Sequence, residues 1–241
     1  MNMWVADSAA TEGAPPGRSC PLHYRYRAEM FAAPPAAALG RLDVLYVAGG
    51  LYGNDIALKR VLELFDREPG RKRLVFNGDF HWFDANPVVF ERIQRSVLRH
   101  TALRGNVETE LAVEVGEAED DTGCGCAYPD WVGDDVVERS NRILGRLRRA
   151  VTPEQRRALS DLPTWLRADV GDFKLGIVHG DAQSLAGWGF AQEHLREAAR
   201  TGRRSGAGSS ARRSTPSRAP IPACPCSRGC VRRVGRRVAG S

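Results

Sequence analysis

A chain of 241 residues is long enough for one sizeable α/β domain with a buried core, or for such a domain and a tail. The net charge of +6 would suggest a nucleic-acid binder, but ten arginines and no acid lie between Thr201 and Ser241. Subtracting them leaves residues 1–200 at −4, mildly acidic as a cation-binding domain can be. No apolar run approaches the roughly 20 residues that span a bilayer. The opening MNMWVADSAATEGAPP lacks the basic start and apolar core of a secretory signal, and six cysteines in a chain this long make no small disulfide scaffold. A cytoplasmic location with no membrane partner is expected.

Residues 1–40 are rich in Ala, Pro and Gly and are expected to be irregular, with the patch from Cys20 to Phe31 packed along an edge of the domain. His23 in that patch reads as a packing or surface residue. Leu42 to Ala48 is the first apolar run with the length and β-leaning composition of a buried strand. The glycine-rich turn Gly49–Asn54 follows, then a helix from about Asp55 to Phe65 with Leu58, Val61, Leu62 and Phe65 on one stripe. A strand, a glycine loop and a helix make a generic anion cradle, although GxGxxG spacing and the Lys-Ser/Thr of a Walker loop are both missing.

Leu74–Phe76 reads as a second buried strand, ending in Asn77-Gly78-Asp79. Glycine there allows a sharp turn and leaves Asp79 at the mouth of the sheet, where α/β proteins place ligands. Asn86-Pro87 caps and starts a helix to about Arg99. Thr101 to Glu108 reads as a short strand running into a turn. Residues 112–135 form a long acidic, glycine-rich loop, followed by a helix from Asp134-Asp135 to near Ala150. Thr152-Pro153-Glu154-Gln155 is a capping box that opens another helix. Thr164–Val170 and Phe173–Val178 flank Gly171-Asp172 as a hairpin, which runs into His179-Gly180-Asp181. Leu185–Arg200 is expected to be helical. Residues 201–241 hold no apolar periodicity and are expected to be disordered, breaking off the preceding pattern as a shifted reading frame would.

Four polar turns therefore follow strands in order: Gly49–Asn54, Gly78–Asp84, Gly105–Glu108 and His179–Asp181. Their order and spacing resemble those of the calcineurin-like metallophosphoesterases over about residues 42–195. That resemblance implies an α/β fold of the four-layer α-β-β-α sandwich type over residues 41–200, here incomplete at its C-terminal end. It also implies hydrolysis of a phosphomonoester or phosphodiester by a metal-activated water. Position by position, Asp79 matches the aspartate that bridges two metals, Asn106 the asparagine ligand and His179 the histidine after the hairpin. Asp79 and Asn106 are thus the implied catalytic pair. Asp79, Asn106 and His179 are the implied ligands for divalent ions, with Mn, Fe, Zn, Ni and Mg all suitable. Asn54, His81 and Asp181 are weaker candidates for contacting a phosphorylated small-molecule or nucleotide substrate.

The departures from the pattern are as definite as the matches. Gly50 and Tyr52 stand where the family has Asp and His, Val107 stands where a histidine often protonates the leaving group, and the final Gly-His-x-His is missing. These changes predict impaired hydrolysis, and they keep open a non-catalytic member of the family or a nucleotide- or phosphate-binding α/β domain. Two further readings are a zinc site from Cys124-x-Cys126 with Cys224, Cys226 and Cys230, and salt-dependent nucleic-acid binding through the arginine tail.

Overall fold

The computed structural model describes residues 16–18, 20–27, 38–113, 123–191 and 231–235. They form a mixed α/β structure with two small sheets. The first sheet is ordered β4-β3-β2-β7, from β2 (Val44–Ala48), β3 (Lys72–Asn77), β4 (Thr101–Leu103) and β7 (Val231–Gly235). β2, β3 and β4 run parallel and β7 pairs antiparallel with β2. The second sheet is ordered β1-β5-β6, from β1 (Ala38–Leu42), β5 (Trp165–Val170) and β6 (Phe173–Val178). The helices are α1 (Asp55–Asp66), α2 (Pro87–Val97), α3 (Asn106–Ala112), α4 (Asp134–Ala150) and α5 (Pro153–Ser160).

Strand alternation divides the core in two. Tyr46, Leu74 and Phe76 point to one face of the first sheet, where they pack with Phe65, Phe90 and Leu144 of the helices. Leu45, Val75 and Leu103 point the other way and meet Leu166, Val170 and Ile177 of the second sheet. Burial on both faces is why β3 reads as a continuous apolar run rather than an alternating one. Among the described residues the layers are therefore helices, sheet, sheet. The outer face of the second sheet carries Arg167, Asp169 and Lys174, opposite the inward Leu166, Ala168 and Ile177, and no described helix covers it, so the fourth layer of the expected sandwich is not among these residues.

Helix starts follow local chemistry. Asn54 Oδ1 accepts from Ala57 N at 2.9 Å and caps α1, and Asn86 Oδ1 accepts from Val88 N at 2.9 Å beside Pro87 at the start of α2. Thr152 and Gln155 bond reciprocally at the start of α5, the expected capping box.

Four expectations are corrected. The run Leu42–Ala48 is two strands in two sheets, because the chain changes sheet at Asp43, whose N–H donates to Arg71 O and whose carboxylate takes the Arg71 side chain. Residues after Gly105 form the helix α3 rather than a strand and turn. Residues 185–191 carry turns and no helix, while 192–200 lie outside the described residues. Within the tail read as disordered, Val231–Gly235 adds a strand to β2. No helix among the described residues is long and apolar enough to cross a membrane.

Candidate metal centre

Parallel pairing sets up the site. Asn77 at the end of β3 is in register with Leu103 at the end of β4, so Asp79 and Asn106 emerge side by side at the carboxyl edge of the sheet. Asp79 holds a left-handed backbone, φ +51°, directly after Gly78 at φ +74°. A non-glycine residue there is strained and persists only where its surroundings hold it. Glu108 supplies the hold. This carboxylate is fully buried and accepts from Asp79 N at 2.7 Å, Gly105 N at 2.9 Å, Phe80 N at 3.1 Å and His81 N at 3.3 Å. Burial, and then the charge of Asp79, push its pKa above the ordinary carboxylate value.

His179 arrives from the second sheet, at the end of β6. Asn77 joins the two sheets at this corner: its Nδ2 donates to Val178 O at 2.9 Å, and its carbonyl lies 2.6 Å from His179 Nδ1. A carbonyl can only accept, so Nδ1 carries the hydrogen and Nε2 is the atom turned toward the site. Nε2 lies 3.4 Å from Asp79 Oδ2 and 3.2 Å from Asn106 Oδ1. The Asn106 amide is oriented as well, since its Nδ2 donates to Cys124 O at 3.0 Å and leaves the oxygen facing His179.

One carboxylate oxygen, one amide oxygen and one ring nitrogen thus converge, each with its other polar atom engaged elsewhere. Three electron-pair donors facing each other repel unless a proton on Nε2 or a cation lies among them. The set fits one hard or borderline divalent ion. Among the described residues no three His, Cys, Asp or Glu side chains assemble as a metal-holding group, and the third donor here is the amide of Asn106. Among the described residues a second ion has no such set. A Cβ on Gly50 would lie 2.7 Å from the Tyr52 ring, so that ring fills the space a side chain at position 50 would need.

The other candidates do different work. His81 is fully buried, stacked on Phe90 with centroids 3.6 Å apart, and held by Asp84 Oδ2 at 2.6 Å. It does not line the cleft beside the three donors, so its substrate role is corrected to a packing one. Asp181 takes backbone amides of Gln183, Ser184 and Gly189 at 2.7, 2.9 and 2.9 Å and orders the loop after His179. Asn54 is the α1 cap. The Gly49–Asn54 loop is not an open phosphate cradle either, because the amides of Tyr52, Gly53 and Asn54 donate to Asp79 O, Phe80 O and Leu51 O. Cys124 and Cys126 are joined to each other in a disulfide, which removes both thiolates from the zinc reading; Cys224, Cys226 and Cys230 lie outside the described residues. His23 is exposed and edge-on to Tyr24, as expected.

The three donors open into a cleft of about 350 Å³. Its walls include Tyr52, Trp82, Phe83, Tyr128 and Trp188. Burial raises the Tyr128 pKa, its hydrogen bond with Ser140 opposes the shift and the Asp79 charge adds to it, so its phenol stays protonated. Glu108 had a sequence signal, an acid three residues after the Gly105 that opens a helix. Of the aromatic walls only Trp82, beside His81 in the second polar turn, carried a signal; Tyr52, Phe83, Tyr128 and Trp188 come from separated positions and carried none.

No family model matches the chain, and no curated protein does. Among solved structures, a hypothetical protein, PH1004, from Pyrococcus horikoshii OT3 is similar at 18% identity and a TM-score of 0.37, over 56% of this chain and 53% of that one. "A putative diadenosine tetraphosphatase" is similar at 17% identity and a TM-score of 0.36, over 58% of this chain and 50% of that one. The chain spans about half the length of each.

Proposed function

We propose that this protein binds one divalent cation through Asp79, Asn106 and His179 and hydrolyses a phosphoester beside it, as a reduced relative of the calcineurin-like metallophosphoesterases. The carrying observation is the convergence of Asp79 Oδ2, Asn106 Oδ1 and His179 Nε2 within 3.4 Å of the ring nitrogen. These are the three residues that the order of the polar turns singles out.

A bound divalent ion supplies Lewis-acid polarisation of a phosphoryl oxygen and eases deprotonation of a water. The chain's own groups position and shield. Glu108 fixes the Asp79 turn, Asn77 fixes the His179 ring and its tautomer, and the Cys124 carbonyl fixes the Asn106 amide. Val107 offers no proton to a leaving group, so the reading favours esters whose leaving group departs without one. The same observation supports a second reading, in which the ion and phosphate are bound without turnover.

Metal analysis and an activity screen on aryl phosphates and phosphodiesters test both. The first reading expects close to one equivalent of metal in the wild type, little in Asp79→Ala, and hydrolysis that follows the metal. Metal without hydrolysis selects the second reading. Equal metal content in wild type and Asp79→Ala overturns both.

A further inference from the structure

Phe83 lines the cleft yet is 71% exposed. Trp188 lines it with a ring already held in place: its Nε1 donates to Cys126 O at 3.0 Å, and Trp131 meets it edge-on with centroids 5.5 Å apart. Tyr128 stands 5.9 Å from Trp188, its phenol tied to Ser140. Large apolar faces left open beside a polar floor are ligand-binding surfaces, and rings fixed before the ligand arrives lose little freedom on binding. Among the described residues no lysine or arginine lines this cleft. The aromatic faces therefore offer contacts to the rest of a phosphorylated ligand beyond its phosphate.

We infer that the cleft takes a phosphate ester whose esterified group carries a planar aromatic ring system, stacked against Phe83 and Trp188, with its phosphate at the Asp79–Asn106–His179 end. The inference rests on the cation-and-phosphate reading of those three residues and adds the substrate class to it. A nucleobase and a simple aryl ring share the chemistry that stacking recognises, since each presents a π-face. The volume of about 350 Å³ admits one such ester and sits near the lower end of the range for small-molecule sites.

Calorimetric titration of the full chain in Mn²⁺ with adenosine 5′-monophosphate, phenyl phosphate and glycerol 2-phosphate tests this, with adenosine alone as a metal-independent probe. The expected result is binding of at least one aromatic ester about tenfold tighter than glycerol 2-phosphate, the size of one stacking contact. The ratio between the two aromatic esters tells nucleobase from aryl ring. Phe83→Ala, at a position exposed enough to fold normally, is expected to bring the aromatic-to-alkyl ratio near one, and Trp188→Phe to keep most of it. Equal binding of all three esters, or a ratio untouched by Phe83→Ala, overturns the inference. If Mn²⁺ does not bind but adenosine does and needs Phe83, the metal reading falls and the aromatic subsite stands. If Mn²⁺ binds through Asp79 and the esters are not distinguished, the subsite falls and the metal reading stands.

Discussion

Glu108 Oε2 lies 2.7 Å from the backbone nitrogen of Asp79, so the acid that opens α3 holds the strained turn that follows β3. The same carboxylate takes three more amides, and without it four buried donors lose their acceptor. Removing an acceptor from buried donors costs about 1–3 kcal/mol for each group left unsatisfied, less where water enters. Glu108→Ala is therefore expected to lower unfolding stability by about 3 kcal/mol or more, read from the denaturant midpoint. A loss below about 1 kcal/mol would show that the turn holds itself.

Asp79, Asn106 and His179 face one another without a positive charge among them unless Nε2 is protonated. A divalent ion that binds only the folded chain stabilises it by about 2.7 kcal/mol at a hundredfold excess over Kd. Mn²⁺ or Zn²⁺ is expected to raise the melting temperature of the wild type by several degrees, and Asp79→Asn and His179→Gln are expected to abolish the rise. An equal rise in either variant would place the ion elsewhere.

Gly105 is required for space rather than for backbone freedom. A Cβ there would press on Asp79 Oδ1 and come within 2.8 Å of both Asp79 N and His179 Cε1. None of these is the end of a long flexible side chain, so the turn or the ring must shift. Gly105→Ala is expected to cost about 1–3 kcal/mol and to weaken metal uptake at least tenfold, checked by denaturation and metal titration together.

His100 gives a pH dependence remote from the site. Burial against Phe65 and Phe76 lowers its pKa from the ordinary 6.5; nearby Arg99 adds to the shift and Asp66 opposes it. A histidine that stays neutral in the folded state takes up its proton more readily when unfolded. Its contribution is therefore complete above about pH 6.5 and is lost as the pH falls through the folded value. Melting temperatures measured from about pH 8 to about pH 5 are expected to fall less steeply for His100→Gln than for the wild type.

Caps, strands and turns were readable wherever local chemistry decides them. Asn86-Pro87 and Thr152-Pro153 begin helices for reasons contained within four residues, and the Asp79 and His179 turns follow from short apolar runs that stop at glycine or histidine. α3 escaped notice because Asn106 to Leu111 are all buried, so no polar face marks a helical period. Leu42–Ala48 read as one strand because nothing in its composition says that Leu42 joins one sheet and Val44 another. His81 and Asp181 have the residue types of ligands, but His81 stacks on Phe90 and Asp181 collects loop amides, relationships that exist only once the chain is folded. The aromatic cleft is of the same kind, assembled from residues more than a hundred positions apart.

β7 closes the flank of β2 with a segment drawn from far along the chain. A chain cut after Arg200, the obvious way to ask whether the arginine tail grips nucleic acid, would also strip that flank and leave a row of unpaired amides and carbonyls on a parallel core strand. Such a fragment is expected to self-associate, which light scattering would register. Replacing the arginines before residue 231 while keeping Val231–Gly235 separates the electrostatic question from the architectural one.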